Sequence, residues 1–207
     1  DIGASSKAEA EKYVSPGDCA YFRSDYTELG NGYLREKALD DRIGCAIMVD
    51  ILNKELPYDV TCVFTVQEEI GTRGAKVAAY TVKPDYAIVL ETTTACDFSG
   101  NDGEKRVCEL GKGCVVSYMD RSTIYDRELY RLGFEKAKEI GVPCQTKTLV
   151  AGSNDSGAIH SSVGGIRTVA LSVPCRYLHS PSCMIKKSDV QSTAELAYAM
   201  YLALAEK

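Results

Sequence analysis

Apolar positions along this chain recur in two rhythms. From Asp40 onward Ile43, Ile47 and Ile51 stand four apart, which predicts a helix with one apolar face. A second helix is predicted from Asp126 as its cap, through Leu129, Leu132, Ala137 and Ile140, to Gly141 just past its end. A third is read at Ser188-Asp189-Val190-Gln191, taken as a capping box, with Leu196, Met200, Ala203 and Leu204 as the apolar stripe. Shorter helical patterns cover residues 72–79 and 155–161. Between these lie continuous apolar or β-branched runs at 58–66, 86–90, 114–118, 145–150 and 168–173, each predicted as a strand. Residues 91–109 read as loop. Short strands that are apolar throughout, alternating with helices, imply a sheet covered on both faces. The expected fold is α/β: a three-layer α/β/α sandwich around a mostly parallel mixed sheet.

Residues 1–35 have another texture. Turn signals at Ser15-Pro16-Gly17-Asp18 and Gly30-Asn31-Gly32 flank a predicted strand at 19–22, after a short helix capped by Ser5 or Ser6. This segment is expected to be the end of a small β-rich module, with the α/β domain running over 36–207.

Composition narrows the function. The 207 residues are 45% hydrophobic and 26% charged with a net charge of -5, and no basic stripe tracks a nucleic-acid backbone. No apolar run reaches the length of a membrane span and no signal peptide is evident, so neither nucleic acid nor membrane is an expected partner and a cytoplasmic setting is expected. Nine cysteines without a CxxC pair fit free thiols in a reducing compartment better than a disulfide framework.

The candidate chemistry centres on Val63-Phe64-Thr65-Val66-Gln67-Glu68-Glu69-Ile70-Gly71, where a β-branched run gives out into two carboxylates and a glycine. Open α/β sheets place their ligands at such strand ends. Asp40 with Asp41, Glu91 and His179 sit in comparable positions, at the ends of apolar elements or in loops. Each has a plainer reading: helix capping for Asp40 and Asp41, solvated charge for Glu91, a loop histidine for His179. His160 reads as structural. Together, carboxylates and imidazole suit divalent zinc, cobalt or manganese. Because neighbouring strand residues point to opposite faces, one of Glu68 and Glu69 can hold a metal while the other faces a water. No GxSxG occurs, and Gly152-Ser153-Asn154-Asp155 does not replace it. A glycosidase needs two carboxylates facing each other across a sugar, which neighbouring Glu68 and Glu69 do not supply.

Ala38-Leu39-Asp40-Asp41-Arg42-Ile43-Gly44 and Val66-Gln67-Glu68-Glu69-Ile70-Gly71-Thr72-Arg73-Gly74-Ala75 resemble the M42 family of dinuclear metallo-aminopeptidases. This is the glutamyl-aminopeptidase and TET-peptidase group, some members of which carry endoglucanase names. The likeness continues through Met119-Asp120-Arg121-Ser122-Thr123-Ile124-Tyr125, Gly157-Ala158-Ile159-His160 and Arg176-Tyr177-Leu178-His179-Ser180-Pro181. The resemblance implies two divalent ions, zinc or cobalt with manganese as a third choice. Asp40 would bridge them, Glu69 and His179 would complete the first site, Glu91 would serve the second, and Glu68 would be the general base. Asp41 would hold Asp40 in place through a cis Asp-Asp peptide rather than act as a ligand. It implies short peptides as substrates, and dimers assembling into twelve subunits in the full-length protein. Two departures stand out: Glu91 stands where the family usually has Asp, and the family's histidine in a His-x-Asp context has no counterpart beside His160 and His179. The resemblance therefore also implies a missing N-terminal segment, residues 1–35 as the tail of a dimerisation domain, and an incomplete second site. A non-catalytic subunit of the same family is the alternative reading.

Overall fold

The computed structural model describes residues 1–207, the side chain of Glu104 apart. Its centre is a four-stranded mixed sheet built from β3 (Tyr86–Thr94), β4 (Cys114–Val116), β5 (Cys144–Thr146) and β6 (Arg167–Cys175), in the order β3-β6-β4-β5. β3 and β6 run parallel in register from Tyr86↔Arg167 to Thr94↔Cys175; β4 is parallel to β5 and antiparallel to β6. Alternation along β6 explains the layers. Val169, Leu171, Val173 and Cys175 face a core shared with α2 (Leu39–Leu52), α4 (Arg127–Ile140) and α6 (Lys187–Ala205), supplied by Ile47, Leu129, Leu196 and Met200. Ala170 faces the other way, onto Val89, Tyr125 and Ile159 of α5 (Ser156–His160), with α3 (Arg73–Val82) beside it. Helices on both faces of a mixed sheet make the expected sandwich.

A second, antiparallel sheet joins β1 (Thr27–Leu29), β2 (Tyr33–Glu36) and β7 (Cys183–Lys186). β2 crosses the expected boundary at residue 35 and pairs along its whole length with β7, which leads directly into α6. The first helix, α1 (Lys7–Ala10), is capped by Ser6 as expected. α4 is capped by Asp126, which accepts from the amides of Glu128 and Leu129, and ends at Gly141 with φ +74°.

Four sequence expectations are corrected. Residues 19–22 form no strand, and their aromatic side chains lie exposed. Residues 58–66 enter no ladder and carry no regular secondary structure; hydrogen bonds to side chains hold them instead. Tyr58 exchanges bonds with the Tyr201 hydroxyl, and the Thr65 hydroxyl donates to Asp155 at 2.6 Å. β3 runs on past Leu90 to Thr94 because the β-branched run Thr92-Thr93-Thr94 continues the ladder with β6, so Glu91 belongs to a strand and not to a loop. The supposed capping box is absent: α6 begins at Lys187 straight out of β7, and Asp189 turns inward to accept from the amides of Gly111 and Gly113. Among the described residues no helix is long and apolar enough to cross a membrane.

Candidate metal centre

The site residues converge where the parallel strands β3 and β6 end, the position open α/β sheets favour for ligands. Asp40 enters from the first turn of α2, where the Asp40-Asp41 peptide is cis and both residues depart from helical angles. Asp41 folds back so that its Oδ1 accepts the Gly44 amide at 3.1 Å, and a Cβ on Gly44 would lie 2.2 Å from its Oδ2. Glycine is therefore required at position 44 for the Asp41 carboxylate to sit where it does.

Glu68 and Glu69 occupy the turn between residues 58–66 and α3. Gln67 and Thr72 flank them with left-handed φ of 61° and 51°, a conformation that non-glycine residues adopt only where the surroundings impose it. The imposing contacts are visible. The amides of Gly71 and Thr72 both donate to the Glu68 carbonyl, and the Gly74 amide donates to the Val66 carbonyl at 2.9 Å. A Cβ on Gly74 would come within 2.5 Å of that carbonyl oxygen, so the turn that presents the glutamates depends on a close backbone approach.

His179 stands on the loop between β6 and β7. The base of this loop is closed by the Arg176–Met184 backbone pair and by Arg176, whose guanidinium forks onto Asp97. His179 Nε2 lies 3.1 Å from Asp40 Oδ2 and 3.5 Å from Glu69 Oε2. The other Asp40 oxygen, Oδ1, accepts the Thr92 hydroxyl at 2.8 Å. Glu91, 9% exposed, precedes Thr92 on β3.

Two groups of donors result: Asp40 with Glu69 and His179, and Asp40 with Asp41 and Glu91. Within each, one ligand atom per residue lies within 4.8 Å of the others. The two groups thus hold four of the five sequence-predicted residues, Asp40, Glu69, Glu91 and His179, and add Asp41; Glu68 belongs to neither group and stands beside Glu69 in the turn. Asp41 Oδ1 is already engaged by the Gly44 amide. His160 lies outside the cluster, with Nδ1 2.9 Å from the Ser156 carbonyl, as a structural histidine should.

Crowding of carboxylates dominates the electrostatics. Burial, then the charges of Asp155, Glu69 and Asp40, raise the Glu68 carboxyl to about 7. Burial raises Asp41 to about 8, with the charges of Asp40, Glu68 and Asp155 adding to it. Glu91 is pushed well above the ordinary carboxyl range by burial first and by Asp41 and Asp40 next. Acids packed this closely, with one imidazole among them, are a donor set that calls for cations. Sequence reasoning missed Asp155. It sits at the start of α5, its Oδ2 bound by Thr65 and its buried Oδ1 without a hydrogen-bond partner among the described residues. The available signal was weak: an acid between a glycine-serine loop and a short helix.

A family model described as M42 glutamyl aminopeptidase matches residues 1–196. The lysyl aminopeptidase of Pyrococcus furiosus is 34% identical over 204 residues, which cover 97% of this chain and 58% of that protein. Among solved structures, aminopeptidase APDkam598 of the archaeon Desulfurococcus kamchatkensis superposes with a TM-score of 0.91 at 31% identity, covering 100% of this chain and 61% of its own. The TET1 peptidase of Pyrococcus horikoshii, which can assemble into a tetrahedron or a large octahedral shell, gives 0.81 at 33% identity, covering 97% of this chain and 59% of its own. The chain therefore spans about three fifths of the length of these relatives.

Proposed function

The chain belongs to the M42 glutamyl aminopeptidase family, and on that premise we propose that it carries the catalytic centre of a dinuclear metal-dependent aminopeptidase, which removes N-terminal residues from short peptides. The observation that carries this reading is the pair of donor groups sharing Asp40. Asp40 Oδ2 lies 3.1 Å from His179 Nε2, while its Oδ1 accepts the hydroxyl of Thr92, the neighbour of Glu91 on β3. That is the disposition a bridging carboxylate needs.

Two divalent ions, zinc or cobalt with manganese as a third choice, would polarise the scissile carbonyl and acidify a water beside it. Asp40, Glu69 and His179 would hold one ion; Asp40 and Glu91 would hold the other, with Asp41 supporting Asp40 from behind. Glu68 would take a proton from the attacking water and pass it to the departing amine. A general base of this kind contributes on the order of 10²–10⁴-fold.

The second donor group contains carboxylates alone among the described residues, so we infer that its ion is held less tightly than the one facing His179. Residues 1–35 fit the tail of a dimerisation module, and the full-length protein would form dimers that assemble into larger shells, a reading supported by the assembly of the Pyrococcus horikoshii relative. Nine free thiols support a cytoplasmic setting.

The test is hydrolysis of aminoacyl-p-nitroanilides by the full-length protein before and after metal removal, with little or no activity expected of residues 1–207 alone. Activity that EDTA abolishes and zinc or cobalt restores is expected. Cleavage of cellulose that survives EDTA would overturn the reading in favour of a glycosidase. A well-folded protein that binds no ion would make it a non-catalytic member of the family.

A further inference from the structure

One buried acid beside the site has no part in the chemistry above. Asp155 is 7% exposed, and its two carboxylate oxygens differ sharply. Oδ2 accepts the Thr65 hydroxyl at 2.6 Å; Oδ1 is buried and accepts nothing among the described residues. A buried carboxylate oxygen without a donor is costly, because it has given up water and received nothing in return. Thr65 lies three residues before Glu68 on the segment that delivers it, so the bond to Oδ2 ties Asp155 to the strand end where the reaction occurs. The charge of Asp155 also helps raise the carboxyls of Glu68 and Asp41. The buried cation Lys147 is committed elsewhere, donating to the Ala151 carbonyl at 2.6 Å.

We propose that Asp155 Oδ1 receives the α-ammonium group of the peptide substrate and so confines cleavage to the amino terminus. This rests on the aminopeptidase reading. The amino nitrogen of such a substrate is two bonds from the scissile carbonyl carbon, so its receptor must stand close to the base that serves that carbon. Asp155 is bound to the segment that carries that base, through Thr65 three residues before Glu68. An ammonium group is a charge-assisted donor, the kind of partner that compensates a desolvated carboxylate oxygen. An N-blocked or internal peptide bond brings no such cation.

The experiment is calorimetric titration of the zinc-loaded full chain with leucinamide and with 4-methylpentanamide, the same amide lacking the amine. The wild type should bind leucinamide about ten- to a hundredfold more tightly, the range expected of a hydrogen bond to a charged group. Asp155→Asn should lose that preference, and its metal-free form should melt no lower than the wild type, because the substitution removes an uncompensated buried charge. A wild type without the preference, or an Asp155→Asn that keeps it, overturns the assignment. Should Asp155→Asn fail to fold, Thr65→Val decides: it keeps the charge but frees Oδ2, and a severalfold loss of the preference is expected, an unchanged one contradicting the proposal. Leucine p-nitroanilide hydrolysis on the same samples separates the two claims. Ammonium preference in a wild type that hydrolyses nothing would sink the aminopeptidase reading and leave the Asp155 site standing. Hydrolysis with the preference intact in Asp155→Asn would sink the Asp155 assignment alone.

Discussion

The two donor groups around Asp40 are built in opposite ways. The group with Glu69 and His179 stands on loops, its two outer side chains 58% and 64% exposed. The group with Asp41 and Glu91 is set into a helix start and a strand, and Glu91 is 9% exposed. One offers an imidazole and easy access; the other offers carboxylates alone in a desolvated setting. The difference assigns separate work to each. Under the proposed function the exposed group would hold its ion while facing arriving substrate, and the buried carboxyls, raised by burial first and by one another next, would keep protons until a cation replaced them. Asp40 is the hinge of the comparison, because it belongs to both groups, with Oδ2 beside His179 and Oδ1 held by Thr92.

The largest expected effect follows from that hinge. Asp40→Ala should remove both ions and leave hydrolysis undetectable, as read by elemental analysis and p-nitroanilide assay. Retention of one stoichiometric ion would show that the groups do not share a ligand. Next come the outer ligands taken singly. His179→Ala should weaken the more tightly held ion, and Glu91→Gln the other, so chelator competition should show opposite members of the pair being lost. If both variants lose the same ion, the division into two groups fails.

A smaller effect separates the groups by pH. Asp41, at about 8, and Glu91, also raised, bind protons more strongly folded than unfolded, where a carboxyl titrates near 4. Their contribution to stability is therefore fully present below about pH 4 and is lost as pH rises toward 8. The metal-free protein should melt at progressively lower temperature from pH 5 to pH 8. Saturating zinc should remove that slope, because ions replace the protons. A metal-free melting temperature that rises over this window would contradict the buried group's self-repulsion.

Much of this was legible in the sequence, and the misses share a cause. Helix α2 was visible from Ile43, Ile47 and Ile51, and α4 from its Asp126 cap and Gly141 stop, because those signals are local. The strand at 58–66 was misjudged because β-branched composition reports on propensity, whereas a ladder needs a neighbour. Glu91 was read as loop because a carboxylate followed by threonines looks like surface until β6 is seen running beside it. Ser188 and Gln191 matched a capping box, yet α6 starts at Lys187 and the neighbouring Asp189 finds its partners, Gly111 and Gly113, in a distant loop. In the site, Asp40, Glu68, Glu69, Glu91 and His179 stood out by residue type and by family likeness. Asp155 did not, because its distinguishing feature is an oxygen left without a partner, which only the packed structure reveals.

The central claim is that Glu68 moves the proton and does not hold the metal. Substituting Glu68→Gln in the full-length protein and measuring metal content alongside hydrolysis tests it most directly. The account predicts an unchanged number of bound ions with turnover down on the order of 10²–10⁴-fold. Retained turnover, or loss of an ion together with activity, would contradict it.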